Sequence, residues 1–115
     1  MKQLTINLAV QNYILHDRRI ATEYKLQTGV TRTGIEILTF ININDLVTVY
    51  QIRKSLKHSN MQTVRRSVKV LIDLGLVECI KKGTGHSASY YVISIKGKQS
   101  FDYYLSLWES GLGNN

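Results

Sequence analysis

The sequence predicts a mainly α fold completed by one small β-hairpin (α+β), and three observations carry the prediction. Val64, Val68, Leu71 and Ile72 recur at i, i+4, i+7 and i+8, one apolar stripe of a helix over about 61–74. A shorter apolar set, Val49, Ile52 and Leu56, precedes it across a polar turn of His58, Ser59 and Asn60. Two segments rich in β-formers, 77–80 and 88–95, then flank a loop over 81–86 that holds Gly83 and Gly85. Two short helices followed by a hairpin are the parts of a winged helix-turn-helix.

Each element can be justified in chain order. The first residues alternate Leu4, Ile6 and Leu8, which suits an extended arm or the first turn of a helix. A long helix is expected over about 8–27, although its apolar positions, Leu8, Ile14, Leu15, Ala21 and Leu26, form no single stripe. Such a helix packs against a second chain or on a small core. Gly29 breaks it, and Thr31 or Thr33 caps a second helix through Ile35, Leu38 and Ile41 to about Ile43. Asn44 and Asp45 mark the following turn, and Leu46 with Val47 suits a brief strand. Thr48 is a cap for the third helix, and Ser59 or Asn60 for the fourth. Gly75 takes the C-terminal glycine position of that helix.

In the second hairpin strand Tyr91, Ile93 and Ile95 alternate with Tyr90, Val92 and Ser94. A last helix is expected over about 99–108, where Phe101, Tyr104, Leu105 and Trp108 share one face. The chain contains no proline, repeat or linker, so it is expected to be one domain: an N-terminal arm or helix (1–28), a winged-helix core (29–96) and a C-terminal helix (97–110).

Composition narrows the function classes. The formal charge is +7, which favours a polyanionic partner. Six of the Lys and Arg residues (Arg53, Lys54, Lys57, Arg65, Arg66 and Lys69) fall in a stretch with no Asp or Glu, and Lys81 and Lys82 follow in the hairpin loop. No apolar run approaches the roughly 18 residues of a membrane span, and the first residues lack a secretory pattern. A cytoplasmic location is the expectation. Cys79 is the sole cysteine, which excludes an internal disulfide, and inert packing is the simpler reading than a redox switch. His16, His58 and His86 are widely spaced, so neither a metal nor any cofactor is expected. No nucleophile–base pair, phosphate-binding glycine loop or carboxylate cluster points to an enzyme.

The fourth helix carries the functional reading. Opposite its apolar stripe lie Gln62, Arg65, Arg66, Lys69 and Asp73 at i, i+3, i+4, i+7 and i+11. Gln and Arg match adenine and guanine edges in the major groove, while Lys clamps phosphates. Gln62, Thr63, Arg65, Arg66 and Lys69 are therefore the expected groove-facing set. Gln62, Thr63 and Arg66 are ranked as base readers and Lys69 as a phosphate contact, since residues near the helix N-terminus reach base edges. Ser59 and Asn60 stand where free backbone amides can hold a phosphate. Lys81, Lys82 and His86 are expected to meet phosphate or the minor groove from the hairpin loop, and Arg53, Lys54 and Lys57 to meet phosphates from the third helix.

With these residues placed, the chain resembles the MarR-type regulators. Gly29, Val30 and Thr31 followed by Ile35 to Leu38 resemble the opening of that family's second helix. Val47 to Val49 with Ile52 and Leu56 resemble the first helix of its helix-turn-helix. Thr63, Val64, Val68 and Leu71, then Gly75, Leu76 and Val77, resemble its recognition helix and the exit into the wing. Tyr91 to Ile95 with Lys96 and Gly97 resemble the second wing strand and the start of the next helix, so that the likeness covers about 29–101. The resemblance implies a double-stranded DNA-binding transcription regulator, typically a repressor, acting as a homodimer through its terminal helices. Leu8, Ile14, Leu15, Tyr104, Leu105 and Trp108 are the expected dimer residues. Many members respond to a small-molecule effector, which no residue here identifies. The competing reading is a winged-helix module for plasmid or phage replication, or for protein assembly.

Overall fold

The structure, a computed structural model, describes residues 2–57, 60–83 and 88–113. Five helices and one antiparallel hairpin follow the order α1 (Lys2–Thr28), α2 (Arg32–Ile43), α3 (Val49–Ser55), α4 (Met61–Asp73), β1 (Val77–Lys81), β2 (Tyr90–Ile93) and α5 (Ile95–Gly113). This is a winged helix-turn-helix, with α3 and α4 as the two helices of the motif and β1–β2 as the wing.

Local chemistry sets the boundaries. Of the two threonines that could cap α2, Thr31 does so, accepting from the Gly34 amide. Thr48 and Gln51 form a reciprocal capping box at α3. Asn60 caps α4 through its side-chain oxygen, 2.8 Å from the Thr63 nitrogen. At the other end of α4, Gly75 adopts a φ of +77°. The amides of Gly75 and Leu76 turn back to the carbonyls of Ile72 and Leu71, a Schellman closure that only glycine enters without strain.

Ile37, Leu38, Ile41, Ile52, Val64, Val68 and Leu71 are almost wholly buried and fuse α2, α3 and α4 into one core. The predicted stripe of α4 is therefore its packed face, with Ile72 half-buried at the margin. Val47 forms an isolated antiparallel bridge with Tyr91, so the predicted brief strand is one residue that extends the wing sheet.

Three sequence expectations change. α1 begins at Lys2, which settles the arm-or-helix choice in favour of helix. Its inward residues are Ile20 and Tyr24, whereas Leu26 is exposed. Every side chain from Gln3 to Leu15 is also exposed. The second wing strand spans only Tyr90–Ile93, and α5 starts at Ile95 instead of near Gln99.

The reason for the early start of α5 is Ser94. Its buried hydroxyl donates to the Gly75 carbonyl (2.6 Å) and accepts from the Gly97 amide (2.9 Å), acting as a cap where the alternation alone suggested strand. Ile95, read as a strand residue, lies exposed on the first turn of α5. Gly97 sits so close to the exit of α4 that a Cβ there would lie 2.0 Å from the Leu76 carbonyl oxygen.

Candidate nucleic-acid interface

The amphipathic pattern of α4 fixes which side chains leave the core. With Val64, Val68 and Leu71 buried, Gln62, Arg65, Arg66, Lys69 and Asp73 are all exposed. Thr63 is half-buried, and its amide is already taken by the Asn60 cap. Arg53, Lys54 and Lys57 are exposed at the C-terminal end of α3 and just after it. Lys81 and Lys82 are exposed at the open end of the wing, where the ladder is irregular between Cys79 and Lys81. Ser59 and His86, named above as contacts, lie outside the described residues.

These cations fall into two groups around α4. Arg65 and Lys69 line a groove of about 690 Å³ between α4, the start of α3 and the wing, and Lys82 closes its far wall. Arg66 instead lines a smaller cleft of about 130 Å³ against the start of α2. Gln62 and Lys69 stand on the ridge between these two sides, by the 3.6-residue turn of the helix.

The groove brings together residues that sequence reasoning passed over. Tyr50, exposed beside the half-buried Val49, and Met61, the first residue of α4, line it with Thr48. The available signal was an aromatic side chain off the apolar stripe of α3. An aromatic face with a phenol, a thioether and three cations suits a phosphate–sugar edge better than an apolar ligand.

None of the eight cations on α3, α4 and the wing carries a carboxylate partner among the described residues. The single ion pair there joins Arg32 of α2 to Asp17 of α1, and its hydrogen bond raises the Arg32 pKa above the ordinary guanidinium value. The basic face therefore keeps its charge uncompensated and available to a polyanion. Cys79 is exposed on β1 with a free thiol. No described helix is long and apolar enough to cross a membrane.

The residues expected to pair two copies divide differently. Leu8, Ile14, Leu15 and Leu105 are exposed, whereas Tyr104 packs against the core with its ring 5.2 Å from that of Tyr24. Trp108 stacks on Tyr13 at 5.5 Å, tying α5 to the first half of α1.

No family model matches the sequence, and no curated protein does. Solved structures do match. The YusO protein from Bacillus subtilis superposes with a TM-score of 0.78 at 16% identity, over 99% of this chain and 82% of that one. A multiple antibiotic-resistance repressor, MarR, from Listeria monocytogenes gives 0.73 at 17% identity, over 99% and 80%. Wild-type MarR from E. coli gives 0.69 at 17% identity, over 95% and 83%. At such identities the likeness is one of architecture, and it extends through the terminal helices as well as the helix-turn-helix. The chain has the MarR-type winged helix-turn-helix fold.

Proposed function

We propose that this chain is a sequence-specific, double-stranded DNA-binding transcription regulator that acts as a repressor. The observation that carries the reading is the uncompensated basic face of α3, α4 and the wing, on a fold shared with solved transcription regulators. In this reading α4 enters the major groove, and Gln62, Thr63 and Arg66 read base edges. Arg65, Lys69 and Asn60 hold phosphates beside them, as do Arg53, Lys54 and Lys57 at the end of α3. Lys81 and Lys82 take the backbone or the minor groove from the wing. Nothing in the reading requires catalysis or a cofactor.

A homodimer completes it. The exposed apolar surface of α1 and α5 (Leu8, Ile14, Leu15 and Leu105) pairs two copies and presents two α4 helices to successive major grooves. An effector site in such a regulator would be the cavity of about 460 Å³ between α1, α2 and α5. Its walls join the apolar Ile35, Leu56 and Tyr104 to the Asp17–Arg32 pair.

The experiment is fluorescence anisotropy on a promoter-region duplex over a salt series, for wild type and a folded Arg65→Ala/Arg66→Ala variant. Binding that exceeds scrambled DNA, weakens steeply with salt and collapses in the variant supports the proposal. Weak binding that ignores both sequence and mutation overturns it in favour of a protein-assembly module.

A further inference from the structure

Positive charge also collects outside the helix-turn-helix. On α1, Arg18, Thr22 and Lys25 recur at i, i+4 and i+7, so they share one exposed face. That face and the start of α2 enclose an open concavity of about 470 Å³, whose walls include Arg18, Thr22, Lys25, Thr31 and Arg32. It holds three cations and two hydroxyl-bearing side chains.

The neighbouring acids leave most of this charge free. Asp17 is engaged by Arg32. Glu23 accepts from Gln27 and lies about 140° around the helix from Arg18. Glu36 lines the cavity on the other side of Arg32. Neither Arg18 nor Lys25 has a carboxylate partner among the described residues.

The concavity also adjoins the recognition helix. Thr31 lines it and, at the same time, lines the small cleft that contains Arg66 and Ser67 of α4. A basic track therefore runs from Arg66, across the first turn of α2, to Lys25 and Arg18.

We propose that this concavity seats backbone phosphates of the same duplex, flanking the segment that α4 reads. The inference rests on the DNA-binding reading given above and extends its footprint. Arg18 and Lys25 are about 10 Å apart along the helix, which corresponds to about three phosphates of one strand measured along the duplex axis. Exposed cations position DNA by its backbone, without reading sequence, and they carry the seat here because the Thr22 hydroxyl is already donated to the Arg18 carbonyl. The seat adds affinity and salt dependence and leaves base preference to α4.

The test compares wild type with Arg18→Ala/Lys25→Ala on fluorescein-labelled promoter-region and scrambled duplexes, over a salt series. An Arg18→Gln/Lys25→Gln variant, which keeps long helix-favouring side chains, runs beside it, and circular dichroism checks that both are folded. The expected result is that the slope of log K against log salt becomes shallower by about two per protomer in both variants. The preference for promoter over scrambled DNA is expected to stay within twofold of wild type. An unchanged slope in variants whose wild-type parent binds well overturns the phosphate seat and leaves the role of α4 standing. A wild-type protein that binds neither duplex overturns both.

Discussion

Arg65 and Arg66 are adjacent in sequence yet line different clefts, Arg65 facing the wing and Arg66 facing the start of α2. A helical step of about 100° separates them, and the neighbouring elements turn that angle into two environments. Their roles in DNA binding are therefore expected to separate. Arg66→Ala should lose about 1–3 kcal/mol of preference for promoter over scrambled DNA, the value of one base contact. Arg65→Ala should weaken both duplexes alike and make the salt slope shallower by about one. Anisotropy titrations of the two single variants check this, and identical profiles would contradict it.

The junction between the wing and α5 makes a prediction about stability. Ser94→Ala leaves the Gly75 carbonyl and the Gly97 amide without their shared partner, which should cost about 1–3 kcal/mol. Gly97→Ala should cost a comparable amount, about 1–3 kcal/mol from overpacking, because its Cβ would collide with the Leu76 carbonyl. Urea unfolding midpoints measure both. A Gly97→Ala protein as stable as wild type would show that α5 can back away from the exit of α4.

Tyr24 supplies a pH dependence. Burial raises its pKa above the ordinary value of 10.0, against the opposing effect of its hydrogen bond with Ser100. The unfolded phenol ionises first, so above pH 10 the folded state holds more protons than the unfolded one. Stability is then fully present below pH 10 and falls as pH rises toward the folded pKa, by about 1.4 kcal/mol per pH unit within that window. Tyr24→Phe should remove this component. Its unfolding free energy should fall less steeply than that of wild type between pH 9 and 11, and parallel curves would count against the assignment.

Dimerisation is tested on the exposed half of α1. Leu8→Asp/Leu15→Asp places two charges on side chains that touch no core within the chain, so the fold should survive. Sedimentation at micromolar concentration should give a dimer for wild type and a monomer for the variant. A wild-type monomer that still binds the promoter duplex would remove the dimer from the proposal.

The helix-turn-helix was legible in the sequence because its signals are local. Val64, Val68 and Leu71 mark one face of α4, and Thr48, Asn60 and Gly75 place the helix ends through their own side chains or backbone freedom. The start of α5 was hidden because Ile95 continues the alternation of β2. What ends the strand is a tertiary event, the approach of Ser94 and Gly97 to the loop after α4. The same limit applies to the candidate interface. Periodicity put Arg65 and Arg66 on one polar arc, but only packing shows which neighbour each one meets. Tyr50 and Met61 enter the groove because the wing folds over α4; the pattern of α3 marks Tyr50 as lying off the apolar stripe but not what it meets.

The Ser94 joint also has a mechanical meaning. One hydroxyl spans the end of α4 and the first turn of α5, and Lys96 adds a second tie by donating to the Leu74 carbonyl (3.0 Å). Ser94 alone separates β2 from α5. The 19 residues of α5 make a rod of about 28 Å, welded at its root to the base of α4. Tilting that rod about its root by a few degrees moves its tip by an ångström or two, and the Ser94 and Lys96 hydrogen bonds are the ties through which such a tilt reaches the end of α4. In the homodimer proposed above, the angle at which one copy holds its neighbour is tied through this joint to the angle of α4.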